Sequence, residues 1–476
     1  MLPNVTPARS NAGPRTHKYS PAPAARDHAP SACHAPQADR IIRFALRAGS
    51  ASQRCCAGGG PGPSATPAAS LEEAMKVLIA DSFEAWGVEQ LKPLADQVIV
   101  EPGLKGDALK TRLAELQPDL LIVRSTKVTA DVIAAGTRLN GVIRAGSGYD
   151  NIDVKAASAC GVMVANCPGK NSAAVAELTI GLMIALDRRI PDNVADFRAR
   201  RWRKKQYSKT ARGLKGRTLG ILGAGQIGTL VARAALGLDM HVLFYHLGRH
   251  RRLVDYPNCR RAELDELLRE SDVVTIHVPG GETTTRLVDD RRLRLMKKTA
   301  LLINTSRAGV VDEAALAQAL REGRLRGAAV DVVSGEPPAD AEAVDSPLCD
   351  VPNLYVTHHI GASTEEAQMA VAEETVRLVR HYKSTGTLPN CVNMQEPATH
   401  YMLIVRMKNK PGSLAHVFKV ISEAGINAEE MDHVIYDGGD AACAHIRINR
   451  QPSEADLTQL RTGHPNMIDV DLMRVD

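Results

Sequence analysis

The sequence predicts an α/β protein made of two doubly wound lobes, followed by a smaller α+β domain. From Met75 onward, short apolar runs alternate with segments of helical periodicity, an order typical of parallel sheets flanked by helices. The alternation breaks near 384–399, where polar residues, Gly and Pro interrupt it. The last 77 residues then follow the order strand, helix, strand, strand, helix, strand, which predicts a ferredoxin-like domain.

The predicted strands are short apolar runs, and the predicted helices between them show a 3.6-residue period. The strands are expected at 76–80, 120–124, 142–145, 162–165, 218–222, 241–245, 272–278, 300–304, 327–333 and 354–357. The main helices are expected at 173–187, 226–237, 261–270, 312–321 and 364–383. Asp312 is a plausible N-cap, and Gly323 ends that helix. Segment 173–187 is apolar nearly all round, which predicts a buried helix between the lobes.

Composition argues against several classes of protein. Of the 476 residues, 44% are apolar and 24% are charged, ordinary values for a globular chain. Residues 75–476 hold 51 Lys and Arg against 50 Asp and Glu, so we expect no nucleic-acid partner. No stretch reaches the roughly 18 apolar residues of a membrane span, so we expect no membrane partner. The nine cysteines show no metal-ligand spacing, so no metal is expected and a reducing compartment fits best.

Residues 1–74 differ in composition from the rest of the chain. They are rich in Ala, Pro, Ser, Gly and Arg, and their only acids before Glu72 are Asp27 and Asp39. Such a segment cannot bury enough apolar surface to fold alone. We expect a disordered transit peptide for a plastid or mitochondrion, because these peptides are rich in Arg and Ser and poor in acids. The alternative is a protein that begins at Met75 and stays in the cytoplasm.

A glycine-rich turn predicts a dinucleotide site in the second lobe. Gly223, Gly225 and Gly228 follow the predicted strand 218–222 and begin a helix, which is the context that gives the GxGxxG pattern its meaning. The glycines allow a tight turn, and the helix N-terminus faces the pyrophosphate. We therefore predict a Rossmann-like lobe in which Gln226 and Ile227 also contact the cofactor.

The end of the next predicted strand bears on the choice between NAD and NADP. An NAD site usually has a carboxylate there for the ribose hydroxyls, but no acid occurs between Phe244 and Asp255. His246 and Arg249 would instead attract a 2′-phosphate, with Arg251 and Arg252 close behind. The sequence therefore favours NADP. The alternative is that these arginines form a solvated loop and NAD binds.

Three further motifs follow predicted strands, at the end where doubly wound folds bind ligands. They contain Arg307, Glu336 and His359. Taken singly, each residue also has a structural explanation. The order and the residues of these motifs resemble the D-2-hydroxyacid dehydrogenase family across 75–395, closest to the members that act on 3-phosphoglycerate. The further segments on which this resemblance rests are 123–131, 144–153 and 171–177.

The resemblance implies a catalytic set of Arg307, Glu336 and His359. His359 would accept the hydroxyl proton of a 2-hydroxy acid while hydride passes to the nicotinamide. Glu336 would orient the imidazole, and Arg307 would bind the carboxylate. Asp331 would position the nicotinamide amide, and Pro279 and Thr305 are also expected to contact the cofactor. One departure is His358, where the family usually has Pro.

The resemblance also implies how the far end of the substrate is bound. Backbone N–H groups of the loop that begins with Ser147 and Gly148 would face the carboxylate. Arg124, Ser125, Lys127 and Arg144 would form a cationic patch for a phosphate. A phosphorylated 2-hydroxy acid is therefore the expected substrate.

The C-terminal segment resembles an ACT domain, a type of regulatory domain, over 398–476. In members of the family that serine inhibits, a His and two Asn line the effector site at a dimer interface. Asn409 and Asn427 match the two Asn, and Met407 stands at the position of the His. The domain is thus expected either to bind an amino-acid effector or to serve only in assembly.

The resemblance implies a substrate-binding lobe at 75–172 that returns at 359–395, and a dinucleotide-binding lobe at 173–358. It implies a homo-oligomer and the NAD(P)-dependent oxidation of 3-phospho-D-glycerate, the first step of phosphorylated L-serine biosynthesis. One alternative is a glyoxylate/hydroxypyruvate reductase. A second is a nucleotide-sensing interaction protein of the same fold.

Overall fold

The structure is a computed structural model that describes residues 74–246, 253, 256–337, 341–394 and 401–475. The described residues up to 394 form one compact unit, and residues 401–475 form another. The larger unit contains two parallel sheets, and the C-terminal unit contains one antiparallel sheet. The predicted fold class is confirmed. No helix in the described ranges is long and apolar enough to span a membrane.

The first sheet has five parallel strands in the order β2-β1-β3-β4-β5. Its core is aliphatic on both faces, with every residue of β3 buried. The strands are β1 (Lys76–Ile79), β2 (Gln97–Val100), β3 (Leu120–Val123), β4 (Gly141–Arg144) and β5 (Met163–Asn166), and the helices between them are α1 (Ala85–Leu91), α2 (Gly106–Leu116), α3 (Ala130–Ala135) and α4 (Val154–Ala159).

The second sheet has seven parallel strands in the order β12-β11-β10-β9-β6-β7-β8. Its strands are β6 (Thr218–Leu222), β7 (His241–Tyr245), β8 (Cys259–Arg261), β9 (Val273–Ile276), β10 (Leu301–Asn304), β11 (Gly327–Val330) and β12 (Leu354–Val356). The helices that precede or connect them are α5 (Ser172–Arg188), α6 (Ile190–Arg198), α7 (Lys204–Tyr207), α8 (Gln226–Gly237), α9 (Leu264–Glu270), α10 (Asp290–Leu293) and α11 (Glu313–Arg321), with a 3₁₀ turn at Ala308–Val310.

Two helices connect the lobes built on these sheets, here called the first and second lobe. Helix α5 leaves the first lobe and packs against α8, β10 and β11 of the second. Helix α12 (Glu365–Thr385) returns to the first lobe and packs on α1. Val376, Leu378 and Val379 of α12 are buried in the core of the first sheet. The chain therefore crosses twice, and the carboxyl ends of both sheets face the cleft that contains the candidate site.

The C-terminal unit is a four-stranded antiparallel sheet with two helices. The sheet order β14-β15-β13-β16 follows from the predicted sequence of elements. These elements are β13 (Tyr401–Lys408), α13 (Ser413–Glu423), β14 (Ala428–Ile435), β15 (Ala441–Ile448), α14 (Glu454–Thr462) and β16 (Met467–Arg474). Leu403, Val417, Ile446 and Leu460 meet in its core.

Candidate active site

The three predicted catalytic residues lie at one edge of the second sheet. Arg307 follows β10, Glu336 follows β11 and His359 follows β12. These strands are neighbours in the order β12-β11-β10 and run parallel, so their carboxyl ends meet at the same edge. The structure therefore places residues that are far apart in sequence on adjacent loops.

His359 and Glu336 form a hydrogen-bonded pair. Nδ1 of His359 lies 2.8 Å from Oε2 of Glu336, and an ionised carboxylate can only accept, so Nδ1 carries the proton. The carboxylate thereby fixes the imidazole tautomer and leaves Nε2 for a ligand. His359 itself has a φ of 53°, a left-handed conformation that costs a non-glycine residue about 1–3 kcal/mol. Such strain is common where a side chain must be aimed at a ligand.

Buried Asp331 holds the loop that carries His359. Its carboxylate accepts hydrogen bonds from Oγ1 of Thr357 at 2.6 Å, the amide of Ile360 at 3.0 Å and the amide of Gly361 at 2.8 Å. Its backbone carbonyl accepts the amide of His359 at 2.8 Å. The resemblance implies that Asp331 positions the nicotinamide amide, and this role stays a prediction. In the structure, its carboxylate accepts three hydrogen bonds from this loop and so also holds the backbone next to His359.

Arg307 crosses the cleft to the first lobe. Its Nε donates to Oδ2 of Asp150 at 2.6 Å, and its Nη1 donates to the carbonyl of Ser306 at 2.9 Å. A Cβ on Gly148 would overlap Nη2 of Arg307, so the glycine lets the guanidinium approach the loop backbone. A cavity of about 380 Å³ lies beside this contact, lined by residues of both lobes including Asp150, Gly280 and Arg307.

Arg144 brings a second guanidinium to the same place. A Cβ on Gly146 would overlap its Nη1, so this side chain also depends on a glycine. Burial, together with the charges of Arg307 and Arg124, lowers the pKa of Arg144 to about 10. Within the described residues Arg144 has no ion pair, and its buried Nε has no hydrogen-bond partner. Three arginines therefore lie close enough to affect one another, and Asp150 is the carboxylate near them that favours the charged form of Arg144.

Asp81 organises the loop that carries Arg124, and the sequence did not single it out. Oδ2 of Asp81 accepts the amides of Arg124, Ser125 and Thr126 at 2.6, 3.1 and 3.0 Å. Burial opposes ionisation, but these hydrogen bonds outweigh it and lower the pKa of Asp81. The hydroxyl of Ser125 also donates to Asp81, whereas Lys127 is exposed and makes no contact with the arginines in the part of the chain that is described.

The loop after β4 is anchored through Ser147. Its Oγ donates to Oδ1 of Asn171 at 2.6 Å, and its carbonyl accepts from Nδ2 of Asn166 at 2.6 Å. The amides of Gly148 and Tyr149 donate to no acceptor among the described residues. Gly148 lies beside Nη2 of Arg307, so this loop could bind a carboxylate together with the guanidinium.

The glycine-rich turn has the predicted geometry. Gly223 has a φ of 103°, and a Cβ there would lie 2.5 Å from the carbonyl oxygen of His277. A Cβ on Gly228 would overlap the carbonyl of Gly223, whereas a Cβ on Gly225 would meet nothing within 4 Å. Two glycines thus pack the turn, and the third leaves open space at the N-terminus of α8, where a pyrophosphate would bind.

Comparison with known proteins assigns the chain to a family. Residues 180–361 match the family described as "D-isomer specific 2-hydroxyacid dehydrogenase, NAD binding domain". The chain is 35% identical to the D-3-phosphoglycerate dehydrogenase of Methanocaldococcus jannaschii over 373 residues, 76% of this chain and 68% of that enzyme. It is 36% identical to the hydroxypyruvate reductase of Thermotoga maritima over 312 residues, 65% of this chain and 98% of that enzyme. The chain belongs to the D-isomer-specific 2-hydroxyacid dehydrogenases.

A solved structure agrees with this assignment. The D-lactate dehydrogenase of Aquifex aeolicus, complexed with NAD and lactic acid, is 28% identical and has a TM-score of 0.58. The match covers 67% of this chain and 100% of that chain. The chain spans between 53% and 94% of the length of the curated phosphoglycerate dehydrogenases that it matches. The predicted family is confirmed.

The remaining predicted cofactor residues of this 2-hydroxyacid dehydrogenase are placed as follows. Half-buried His246 follows β7, and Arg249 lies outside the described residues. The backbone carbonyl of exposed Pro279 accepts a hydrogen bond from Oγ1 of Thr284. The buried hydroxyl of Thr305 lies 2.9 Å from that of Thr179 on α5. Thr305 therefore ties β10 to the connecting helix.

Gln226 and Ile227 begin helix α8 directly after the glycine turn. The side chain of exposed Gln226 lies against Gly169 and Ser172, since Oγ of Ser172 is 3.4 Å from its Oε1. Half-buried Ile227 packs against the core of the second lobe. Both residues thus also have structural contacts beside the predicted pyrophosphate position.

A residue that the sequence did not single out lies beside the turn. His277 follows β9, its Nε2 lies 3.0 Å from Oγ1 of Thr275, and burial lowers its pKa to about 3. It is therefore neutral at physiological pH. The open space at the N-terminus of α8 fits the pyrophosphate of a nicotinamide dinucleotide, the cofactor class of the matched domain. No cluster of three potential metal ligands occurs among the described residues.

The two candidate effector residues lie in the C-terminal unit, and both are exposed. Nδ2 of Asn409 donates to the carbonyl of Gly439 at 2.9 Å, and Nδ2 of Asn427 donates to Oε1 of Glu429 at 2.8 Å. Met407 is buried in the core of this unit. The side chain of each asparagine therefore already makes a hydrogen bond within this unit.

Proposed function

We propose that the enzyme oxidises 3-phospho-D-glycerate to 3-phosphohydroxypyruvate, the first step of phosphorylated L-serine biosynthesis. The observation that carries this proposal is the convergence of Arg124, Arg144 and Arg307. A largely buried guanidinium without an anionic partner is costly, and Arg144 is further destabilised by its two cationic neighbours. A substrate with a carboxylate at one end and a phosphate at the other would place one anion beside Arg307, which also pairs with Asp150, and a second anion beside Arg124 and Arg144. A lactate-sized substrate has no group for the second position.

The chain's own residues account for the acid–base step. Nε2 of His359 accepts the proton of the 2-hydroxyl group, and Glu336 holds the imidazole in the tautomer that leaves this atom free. Arg307 and the free amides of Gly148 and Tyr149 bind the carboxylate next to the reacting carbon. The nicotinamide cofactor, when bound, accepts the hydride. Closure of the lobes excludes water from this transfer.

For the phosphate, Arg124 and Arg144 are the proposed ligands. The Asp81 hydrogen bonds fix the backbone on which Arg124 is carried. The hydroxyl of Ser125 already donates to Asp81, so it can serve the phosphate only as a secondary contact. Lys127 is proposed to contribute only through its charge, because it is exposed and outside the cluster.

The proposed cofactor is NADP, with NAD as the alternative. The support is the absence of an acid after β7, where half-buried His246 stands instead, and the arginines that follow it in sequence. A carboxylate there would repel a 2′-phosphate.

Two other functions remain as alternatives. A glyoxylate/hydroxypyruvate reductase is favoured by the nearly full-length match to the Thermotoga enzyme, but it would leave Arg124 and Arg144 without a role. A nucleotide-sensing interaction protein would not need the His359–Glu336 pair. Comparison of kcat/KM for 3-phosphoglycerate, glycerate and hydroxypyruvate separates the three functions. The proposed dehydrogenase would prefer 3-phosphoglycerate, the reductase would prefer hydroxypyruvate, and the interaction protein would turn over none of these substrates efficiently.

We further propose that the C-terminal unit is an ACT domain that regulates or assembles the enzyme, and that the protein is a homo-oligomer. An amino acid that binds near Asn409 and Asn427 would have to displace their present hydrogen bonds. Residues 1–74 are proposed to direct the protein to a plastid or mitochondrion. A fluorescent reporter fused behind them tests this, and uniform cytosolic fluorescence would contradict it.

A further inference from the structure

The contact between Asp150 and Arg307 joins the two lobes at the candidate site. Nε of Arg307 donates to Oδ2 of Asp150 at 2.6 Å, although 157 residues separate them in sequence. Both side chains keep substantial exposure, 57% for Asp150 and 37% for Arg307. A pair this exposed contributes little to stability, so its position calls for another explanation.

The geometry of the guanidinium provides one. Of its five N–H groups, the one on Nε goes to Asp150 and one on Nη1 goes to the carbonyl of Ser306. Nη2 is left beside the backbone of Gly148. Nη2 therefore lies next to the loop whose amides at Gly148 and Tyr149 have no acceptor in the described part of the chain.

The base of Arg307 is held independently. Buried Asn304 donates from Nδ2 to the carbonyl of Arg307 at 2.9 Å and accepts from the amide and hydroxyl of Ser306. The backbone is thus fixed by the second lobe, but the long side chain is fixed only where it meets the first lobe. Without Asp150, the guanidinium would keep one hydrogen bond, to Ser306, and could rotate about it.

We propose that Asp150 is a positioning residue that holds Arg307 across the cleft, so that Nη2 and the amides after Ser147 form one notch for the substrate carboxylate. Asp150 acts through its ion pair with Arg307 and touches no reacting atom. This inference rests on the proposed function of Arg307. It adds that the carboxylate site is built from both lobes and is complete only when they are joined by this ion pair.

The test is a double-mutant cycle in the full-length enzyme. Asp150→Ala should lower kcat/KM about tenfold or more, equally for 3-phosphoglycerate and for glycerate, because the effect lies at the carboxylate end. Asp150→Asn, which keeps an acceptor for Nε, should recover part of the loss. In an Arg307→Ala background, Asp150→Ala should change the residual kcat/KM less than about twofold. Cofactor Kd, measured by fluorescence, should not change.

Glu282→Ala is the matched control, since Glu282 is an exposed acid in the loop beside the same cavity and makes no contact among the described residues. An unchanged or increased kcat/KM in Asp150→Ala would overturn the inference, and an increase would show that Asp150 competes with substrate. Equal losses in both backgrounds would also overturn it. If Arg307→Ala itself retained full activity, the proposed function of Arg307 would fail instead.

Discussion

Nδ1 of His359 lies 2.8 Å from Oε2 of Glu336. The loop that carries His359 is held by hydrogen bonds to the carboxylate of Asp331. The imidazole is therefore fixed in ring orientation and in tautomer before substrate arrives. This arrangement leaves one nitrogen to exchange a proton with the substrate hydroxyl, and the sequence motif alone could not show which one.

His359→Asn should preserve cofactor binding and remove most turnover, because the proton acceptor is lost from an otherwise similar cavity. General acid–base catalysis typically contributes about 10²–10⁴-fold, so kcat should fall by that order. The neighbouring His358 is exposed and makes no described contact, so His358→Asn is the matched control. More than about a third of wild-type kcat in His359→Asn would contradict the assignment.

Arg124→Ala should raise KM for 3-phosphoglycerate by about 10- to 100-fold, since a charged hydrogen bond to phosphate is worth roughly 1.5–3 kcal/mol. KM for unphosphorylated glycerate should change much less. Lys127→Ala should have a smaller effect on 3-phosphoglycerate, because Lys127 lies outside the arginine cluster. Steady-state kinetics with both substrates measures this, and equal losses on the two would show that Arg124 does not bind phosphate.

The cofactor preference should respond to His246 and Arg249. We expect kcat/KM for NADP to match or exceed that for NAD. His246→Asp combined with Arg249→Ala should shift the preference toward NAD by about tenfold, or about 1.4 kcal/mol, because a carboxylate repels the 2′-phosphate. A tenfold wild-type preference for NAD that the double variant leaves unaltered would mean that these side chains do not meet the cofactor.

Glu374 should make stability depend on pH. Its side chain, only 8% exposed, pairs with Arg377 and Lys170. The hydrogen bond from Arg377, opposed by burial and assisted by Asn390, lowers the pKa of Glu374 to about 2. A depressed folded-state pKa gives stability that is present above the unfolded pKa, near 4.5, and is lost as pH falls toward 2.

Glu374→Gln should therefore destabilise the larger unit at pH 7 by roughly 2–3 kcal/mol, and the difference from wild type should shrink below about pH 5. Urea denaturation between pH 7 and pH 3.5 measures this. The exposed neighbour Glu373 provides the control variant Glu373→Gln. A difference that stays constant over this range would contradict the linkage to Glu374.

The sequence predicted most of the parallel strands because a strand buried on both faces is a continuous apolar run. It missed the outer strands β2 and β8, whose residues are partly exposed and include Gln97 and Arg260. The sequence also placed the glycine turn, Arg307, Glu336 and His359 after strands, as the structure has them, and their cofactor-binding and catalytic roles stay predictions.

Asp81, Asp150 and His277 were not predicted as functional residues. Asp81 acts through hydrogen bonds to the loop after β3, and such a long-range contact leaves no local periodicity in the sequence. The side chain of His277 bonds only to nearby Thr275, and nothing in the sequence marks its burial. A carboxylate directly after β1, at the edge where ligands bind, was the signal that could have identified Asp81. Asp150 lies inside segment 144–153, on which the family resemblance partly rests, but only the structure shows its ion pair with Arg307.

We propose that Arg124, Arg144 and Arg307 together select a phosphorylated 2-hydroxy acid. The most direct test is kcat/KM of the purified full-length enzyme for 3-phosphoglycerate, glycerate and hydroxypyruvate, each with NAD(H) and NADP(H). We predict that 3-phosphoglycerate exceeds glycerate by about 100-fold or more with the better cofactor, because Arg124 and Arg144 would each lose a charged hydrogen bond of roughly 1.5–3 kcal/mol. Reduction of hydroxypyruvate that is faster than oxidation of 3-phosphoglycerate, with no preference for the phosphate, would contradict the account.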